Sequence, residues 1–231
     1  ISFFKVTFKA EELLNPEKFA GKQYHNAYEF VGLKSGKMSS RKGSVVLAKD
    51  IINEAKEMLK PYLENREMSE SEKEDTLQKI AIGAIKYSFL SISAFKYLAF
   101  DLETSVNMEG NSGPYVMYTF ARANKIVRDA RSHFEEGDLS LLTNPEEVDL
   151  MRVLATFQTQ VIETGKNLSP NTLCNYVYDL AQTFNIFYKK YPILTEKDEN
   201  HRDARVKLTN STAKVLQKGL DLLGIKTVEK M

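Results

Sequence analysis

The residues most suited to chemistry lie in Gly36-Lys37-Met38-Ser39-Ser40-Arg41-Lys42-Gly43. Lys37, Arg41 and Lys42 supply cations, with Lys34 just upstream, Ser39 and Ser40 supply hydroxyls, and no acid interrupts the run. Glycines at both ends let the backbone bend and approach a ligand closely. Lysine and arginine donors match phosphate oxygens, so the pattern suits a polyphosphate, although composition alone also admits a solvated basic turn. A phosphate-loop NTPase is excluded. That motif needs four residues between its glycines and Ser or Thr after its lysine, whereas Gly32 and Gly36 enclose three and Met38 follows Lys37.

A second constellation lies on the segment from Tyr115 to Arg131. At 100° per residue, Val116, Phe120, Ala123, Val127 and Ala130 fall within about 80° of one another and predict a core stripe. Tyr115, Tyr118, Arg122 and Lys125 share another face, centred well over 100° away. Aromatic rings that stack on unpaired bases, interleaved with cations that meet phosphates, suit single-stranded RNA. The alternative from the same residues is a central helix packed on both sides, its tyrosine hydroxyls bonded inside a bundle. Between Leu173 and Lys190, Leu173, Val177, Leu180, Phe184 and Phe187 form a core stripe that leaves Tyr178 and Asn185 off it.

Among the elements that hold these groups in place, Phe3, Phe4, Val6, Phe8, Leu13 and Leu14 predict a buried amphipathic helix ending before Asn15-Pro16. Tyr28 to Leu33 reads as a strand entering the basic loop and Ser44 to Leu47 as one leaving it, as at the edge of an α/β domain. His25, alone before the first strand, is taken as structural. A helix from Ala48 to Leu59 is expected to stop at Pro61. Residues 64–75 carry six acids against two bases and read as a solvated linker and first helical turn. Leu77 to Leu90 then forms an apolar helix buried between two units. The turn-rich stretch from Phe100 to Pro114 marks the boundary, giving domains 1–106 and 107–231. Beyond it, Asn144-Pro145-Glu146-Glu147 and Ser169-Pro170 mark helix starts. The last of four helices there runs from Asp203 to Leu223, capped by Gly224 with Ile225 as the apolar contact. The fold class is therefore mainly α, an α/β edge followed by an all-helical bundle.

Composition sets further bounds. With 32 basic and 31 acidic residues among 231 and a net charge of +1, any nucleic-acid contact must come from local patches. The single cysteine, Cys174, excludes an internal disulfide and a cysteine-based metal cluster; packing in a helix is its expected role. No apolar run approaches the length of a membrane span and no signal-peptide pattern opens the chain, so a cytoplasmic protein without a membrane partner is expected.

The basic loop resembles the KMSKS-type signature of class I aminoacyl-tRNA synthetases, in the KMSSRKG form of arginine–tRNA ligases. Further along, Ile82-Gly83-Ala84 with Lys86-Tyr87, then Phe100-Asp101, are similar to that family's GAxKY and FD pattern. Glu109 to Tyr115, continuing with Tyr118 and Ala121-Arg122, resembles its EGNTGPYxxYxxAR entry into the anticodon-binding domain. Tyr178 to Ala181 with Phe184-Asn185 and Phe187-Tyr188 is similar to YDLAxxFNxFY, and Leu222 to Ile225 through Met231 to its LLGI ending. These motifs run in family order from about Tyr24 to Met231.

The resemblance implies a Rossmann-type catalytic domain edge, a ligase that joins arginine to its tRNA through an arginyl-adenylate, and ATP as substrate accompanied by Mg2+, for which the chain offers no identifiable metal ligands. It assigns Lys37, Ser39, Ser40 and Arg41 to transition-state stabilisation, Lys37, Met38 and Lys42 to ATP, and Tyr115, Tyr118, Arg122 and Met231 to the anticodon of arginine tRNA. The family's second signature lysine falls on Ser40, so Lys37, Arg41, Lys42 or a lysine from elsewhere must meet the charge. The HIGH-type motif is absent and the arginine pocket mostly so. The chain, which begins at Ile1, thus reads as the C-terminal part of a longer protein, with a monomer expected. Rival readings are a free-standing helical tRNA-binding module, which has no need of the loop, and a helical protein scaffold. These 231 residues alone are expected to show no arginine-tRNA aminoacylation; charging of that tRNA by the isolated chain, in an aminoacylation assay, would overturn the reading.

Overall fold

The structure, a computed structural model, describes residues 2–34, 47–130 and 134–231. Lys37, Met38, Ser39, Ser40, Arg41 and Lys42 lie outside the described residues, as do 44–46 of the expected outgoing strand and Arg131.

The chain opens with α1 (Ser2–Leu14) and the single turn α2 (Pro16–Phe19), started by the Asn15 side chain accepting from the Lys18 amide. The sequence correctly places the end of α1 but not its burial. Phe3 is 74% exposed and Leu14 85%, and the helix packs chiefly on α2. An apolar stripe reports a face that water disfavours, not what covers it. His25 stacks on Phe4 at 4.2 Å.

Strand β1 (Val31–Leu33) is shorter than expected, and it pairs in parallel with a strand absent from the sequence reading, β2 (Leu98–Phe100), in the register Val31↔Leu98 to Leu33↔Phe100. Between them run α3 (Ala48–Leu63) and α4 (Glu70–Leu90), packed as a hairpin. Pro61 does not stop α3. One more half-turn places Leu63 in the core beside Leu59, both nearly inaccessible, and that burial outweighs the backbone hydrogen bond a proline removes. Helix α4 starts with a capping box, Ser69 and Glu72 bonding each other's backbone amides, and packs on α3 and on α6.

After the short α5 (Leu102–Ser105), the bundle comprises α6 (Gly113–Asp129), α7 (Pro145–Ala155), α8 (Phe157–Asn167), α9 (Pro170–Lys190) and α10 (Glu199–Leu222). Helix α10 begins four residues before the expected Asp203, because Asp198 caps it through the amides of Asn200 and His201. Helix α6 is central, packing on α4, α9 and α10. Of its expected stripe, Val116, Phe120 and Ala123 are buried, and so are Met117, Thr119 and Ala121 outside it. All five residues of the α9 stripe are buried, as is Cys174, whose thiol is pushed up to about 12 by burial.

One contact fixes the crossing of α4 and α6. A Cβ on Gly113 would stand 2.8 Å from the Gly83 carbonyl oxygen and 2.9 Å from the Tyr87 Cβ. Neither is the far end of a flexible side chain, so the helices would have to part. Gly113→Ala is expected to destabilise the chain by about 1–3 kcal/mol, read as a lower urea midpoint at unchanged slope.

Candidate nucleic-acid interface

Helix α6 begins where Ser112 accepts a hydrogen bond from the Tyr115 amide at 3.2 Å and Pro114 occupies the first turn, where a missing N–H costs nothing. That start sets the rotation of everything after it. Tyr118 and Arg122, one turn apart, are joined by a bond from the Arg122 guanidinium to the Tyr118 hydroxyl at 2.9 Å. The same guanidinium donates to Asn185 Oδ1 of α9 at 2.9 Å. Asn185 spends both amide hydrogens on α6, donating to the Tyr115 hydroxyl at 3.0 Å and to Thr119 Oγ1 at 2.9 Å. Asn185, which the core stripe of α9 leaves to one side, is therefore the hub between two helices.

Aromatic rings frame the hub. The Arg122 guanidinium carbon lies 4.6 Å from the Tyr118 ring centre and 5.2 Å from that of Tyr188 on α9. Such placement favours a cation over the electron-rich ring faces. Tyr188 stacks on Phe184, and the Tyr115 ring meets Tyr178 at 5.6 Å. Of the two readings of this face, the packed helix accounts for its hydroxyls. The tyrosine hydroxyls are bonded within the bundle, yet Tyr115, Tyr118 and Arg122 all keep some exposure.

The terminal segment completes the wall. Gly224 adopts a left-handed conformation (φ 69°), its amide donating to Asp221 O and that of Ile225 to Leu220 O, the pair of hydrogen bonds that ends a helix sharply. Lys86 of α4 donates to the Gly224 carbonyl at 2.6 Å, a cation at the negative end of α10. Ile225, Val228 and Met231 are buried, and Arg128 pairs with Glu229 at 3.4 Å. This return brings Met231 to a groove of about 690 Å³ that Tyr118, Arg122 and Lys125 of α6 and Tyr188 of α9 also line. Three of the four residues assigned to this site from sequence, Tyr118, Arg122 and Met231, share one groove. Tyr115 stands behind it, linked through Asn185. Tyr188 was missed; its signal was its place one turn after Asn185.

The start of the basic loop is described at one residue. The Lys34 amide donates to Phe100 O at 2.9 Å and its ammonium to Asp101 Oδ2 at 2.7 Å. That bond, with another from the Thr104 hydroxyl, holds the Asp101 carboxyl below its usual range and raises Lys34. Lys34 is exposed and Asp101 half-buried, so solvent screens the pair and it fixes geometry more than it stabilises the fold.

Comparison with known proteins agrees with this layout. Residues 116–231 match the model of the DALR anticodon binding domain. The chain belongs to that family. Residues 2–102 match the catalytic domain of the class I tRNA synthetases (R). The chain is 38% identical over 228 residues to an arginine–tRNA ligase of Clostridium botulinum, and 36% identical over 232 to that of Bdellovibrio bacteriovorus, each match covering 99% of this chain and 40% of the relative. It therefore spans about 40% of the length of those relatives. An arginyl-tRNA synthetase structure from Thermus thermophilus superposes with a TM-score of 0.87 at 32% identity, over 97% of this chain and 38% of that one. One from Plasmodium falciparum, at 24% identity and a TM-score of 0.77, shares the fold. No helix among the described residues is long and apolar enough to cross a membrane.

Asn185→Ala removes three cross-helix bonds at once. The expected result is a loss of about 1–3 kcal/mol in stability, measured by urea unfolding, with Arg122 freed to change rotamer.

Proposed function

We propose that this chain is the C-terminal portion of an arginine–tRNA ligase and that the α6–α9 groove receives the anticodon loop of arginine tRNA. One observation carries the proposal: Tyr118, Arg122, Tyr188 and Met231, from three separate parts of the chain, line a single groove. It offers ring faces for unpaired bases and, in Arg122, a planar donor whose remaining N–H groups can meet a base acceptor. Tyr115 acts through Asn185 by holding α9 against α6. The order of the two family matches supports the same reading. Residues 1–106 then close the catalytic domain and 107–231 form the anticodon-binding domain.

In the parent reaction arginine attacks ATP to give arginyl-adenylate and pyrophosphate, and the terminal ribose of the tRNA then displaces AMP. Lys37, Ser39, Ser40 and Arg41 are the residues proposed to stabilise charge on the phosphates, with Lys37, Met38 and Lys42 against ATP. Such stabilisation by fixed cations needs no covalent protein intermediate. Magnesium would enter with ATP. Among the described residues no group of three His, Cys, Asp or Glu side chains could hold a metal. A cytoplasmic location and a monomer go with this reading.

The groove assignment is tested by filter binding of the anticodon arm of arginine tRNA. Tyr118→Ala and Arg122→Ala should each weaken binding by roughly 5- to 150-fold, the range for loss of about 1–3 kcal/mol of stacking. Unchanged affinity in both would refute the assignment.

A further inference from the structure

The groove is not made by the bundle alone. Asn65, Arg66 and Glu67, in the connection between α3 and α4, line it opposite in sequence to the terminal residues Glu229, Lys230 and Met231. Residues 65–67 fall inside the stretch matching the class I catalytic domain, so the cleft straddles both matched regions.

The cations around it are not equivalent. Arg122 is committed to Tyr118 and Asn185, Lys125 is paired with Asp129, and Arg128 faces Glu229. Arg66 and Lys230 are exposed, and among the described residues neither forms an ion pair or a side-chain hydrogen bond. Lys230 also lies near Glu72, whose carboxyl is lowered chiefly by its bonds to Ser69 and to a smaller degree by this ammonium. A turn fixes the backbone at Arg66, whose amide bonds Leu63 O at 3.1 Å, while Leu63 itself is anchored in the core. Lys230 sits between two buried apolar residues, Val228 and Met231. Two exposed cations on anchored backbone therefore line a groove that also presents the rings of Tyr118 and Tyr188.

We infer that Arg66 and Lys230 are backbone-phosphate contacts of the RNA seated in this groove, the bases being left to Tyr118, Arg122 and Tyr188. This rests on the anticodon-loop reading above and adds a division of labour to it. Phosphate contacts set affinity and salt dependence without reading sequence, and base contacts do the reverse. It also makes the α3–α4 connection part of the RNA seat. Helix α3 starts at Ala48, just past the basic loop, and ends three residues before Arg66.

The test uses the 231-residue chain and two synthetic RNA hairpins, one with the arginine anticodon loop and one with a shuffled loop, titrated across a range of salt. Arg66→Ala and Lys230→Ala should each lower the salt slope by about 0.7 and weaken both hairpins equally, by about fivefold at 0.1 M relative to 1 M salt. Arg66→Lys should keep the slope, and Lys214→Ala, on an exposed part of α10, should change nothing. An unchanged slope in both alanine variants overturns the phosphate assignment while leaving the groove reading intact, provided Arg122→Ala still loses binding. A changed preference between the two loops in Arg66→Ala also overturns it, since Arg66 would then be reading a base. If the wild-type chain binds neither hairpin, both readings fall together.

Discussion

At the crossing of α4 and α6 the backbone of Gly113 lies so near the Gly83 carbonyl that no side chain fits between. Much else follows from this close approach. It leaves the buried Tyr87 hydroxyl within hydrogen-bond reach of both Asn111 Oδ1 at 2.6 Å and the Cys174 carbonyl at 2.9 Å, its single hydrogen shared between two acceptors, which ties α4 to the turn before α6 and to α9. Burial raises that phenol well above its ordinary range, so it stays a donor. On the same side Met117 and Ile225 pack against Gly83. A helix secured this firmly on its apolar side can expose tyrosines and an arginine on the other without losing its place.

A second fixed point lies at the far end of the bundle, where Arg205 of α10 donates to Glu147 at 2.8 Å and to Glu196 at 2.6 Å, with its guanidinium 5.2 Å from the Tyr191 ring centre. Glu147 is fully buried and uses its other oxygen to accept from the Asn144 amide at 3.1 Å. A buried pair of this kind gains little over an apolar substitute and loses heavily when one partner is removed. Its contribution is therefore best seen as placement, since it sets α7 and the loop before α10 in one arrangement.

The helical architecture was legible in the sequence wherever the signal was local. Asn144-Pro145-Glu146-Glu147 gave a helix start, Gly224 with Ile225 gave a stop, and the α9 stripe gave a core face. Features decided by a distant partner were not. Three residues, Leu98 to Phe100, become a strand only because Val31 to Leu33 lie alongside. Pro61 is tolerated because Leu63 finds the core. Glu147 could be read as a cap but not as the partner of Arg205, 58 positions away. Within the site, the stripe of Tyr115, Tyr118 and Arg122 could be drawn on a wheel, and the family resemblance supplied Met231. That Asn185 binds the stripe together could not be seen, because an amide beside a core face has the same sequence signature whether it bonds water or another helix.

The bond from Lys86 to the Gly224 carbonyl bears on how this fold can be divided. Lys86 belongs to the stretch matching the catalytic domain, whereas Gly224 opens the segment that carries Met231 into the groove. A bundle inherited or transplanted from residue 113 onward would keep α6, α9 and α10 but lose the donor that holds their last turn, together with the Gly83 surface on which Ile225 rests. The smallest heritable unit of the groove is then α3 through the final methionine, and a family boundary drawn between α5 and α6 divides sequence resemblance more cleanly than it divides the structure.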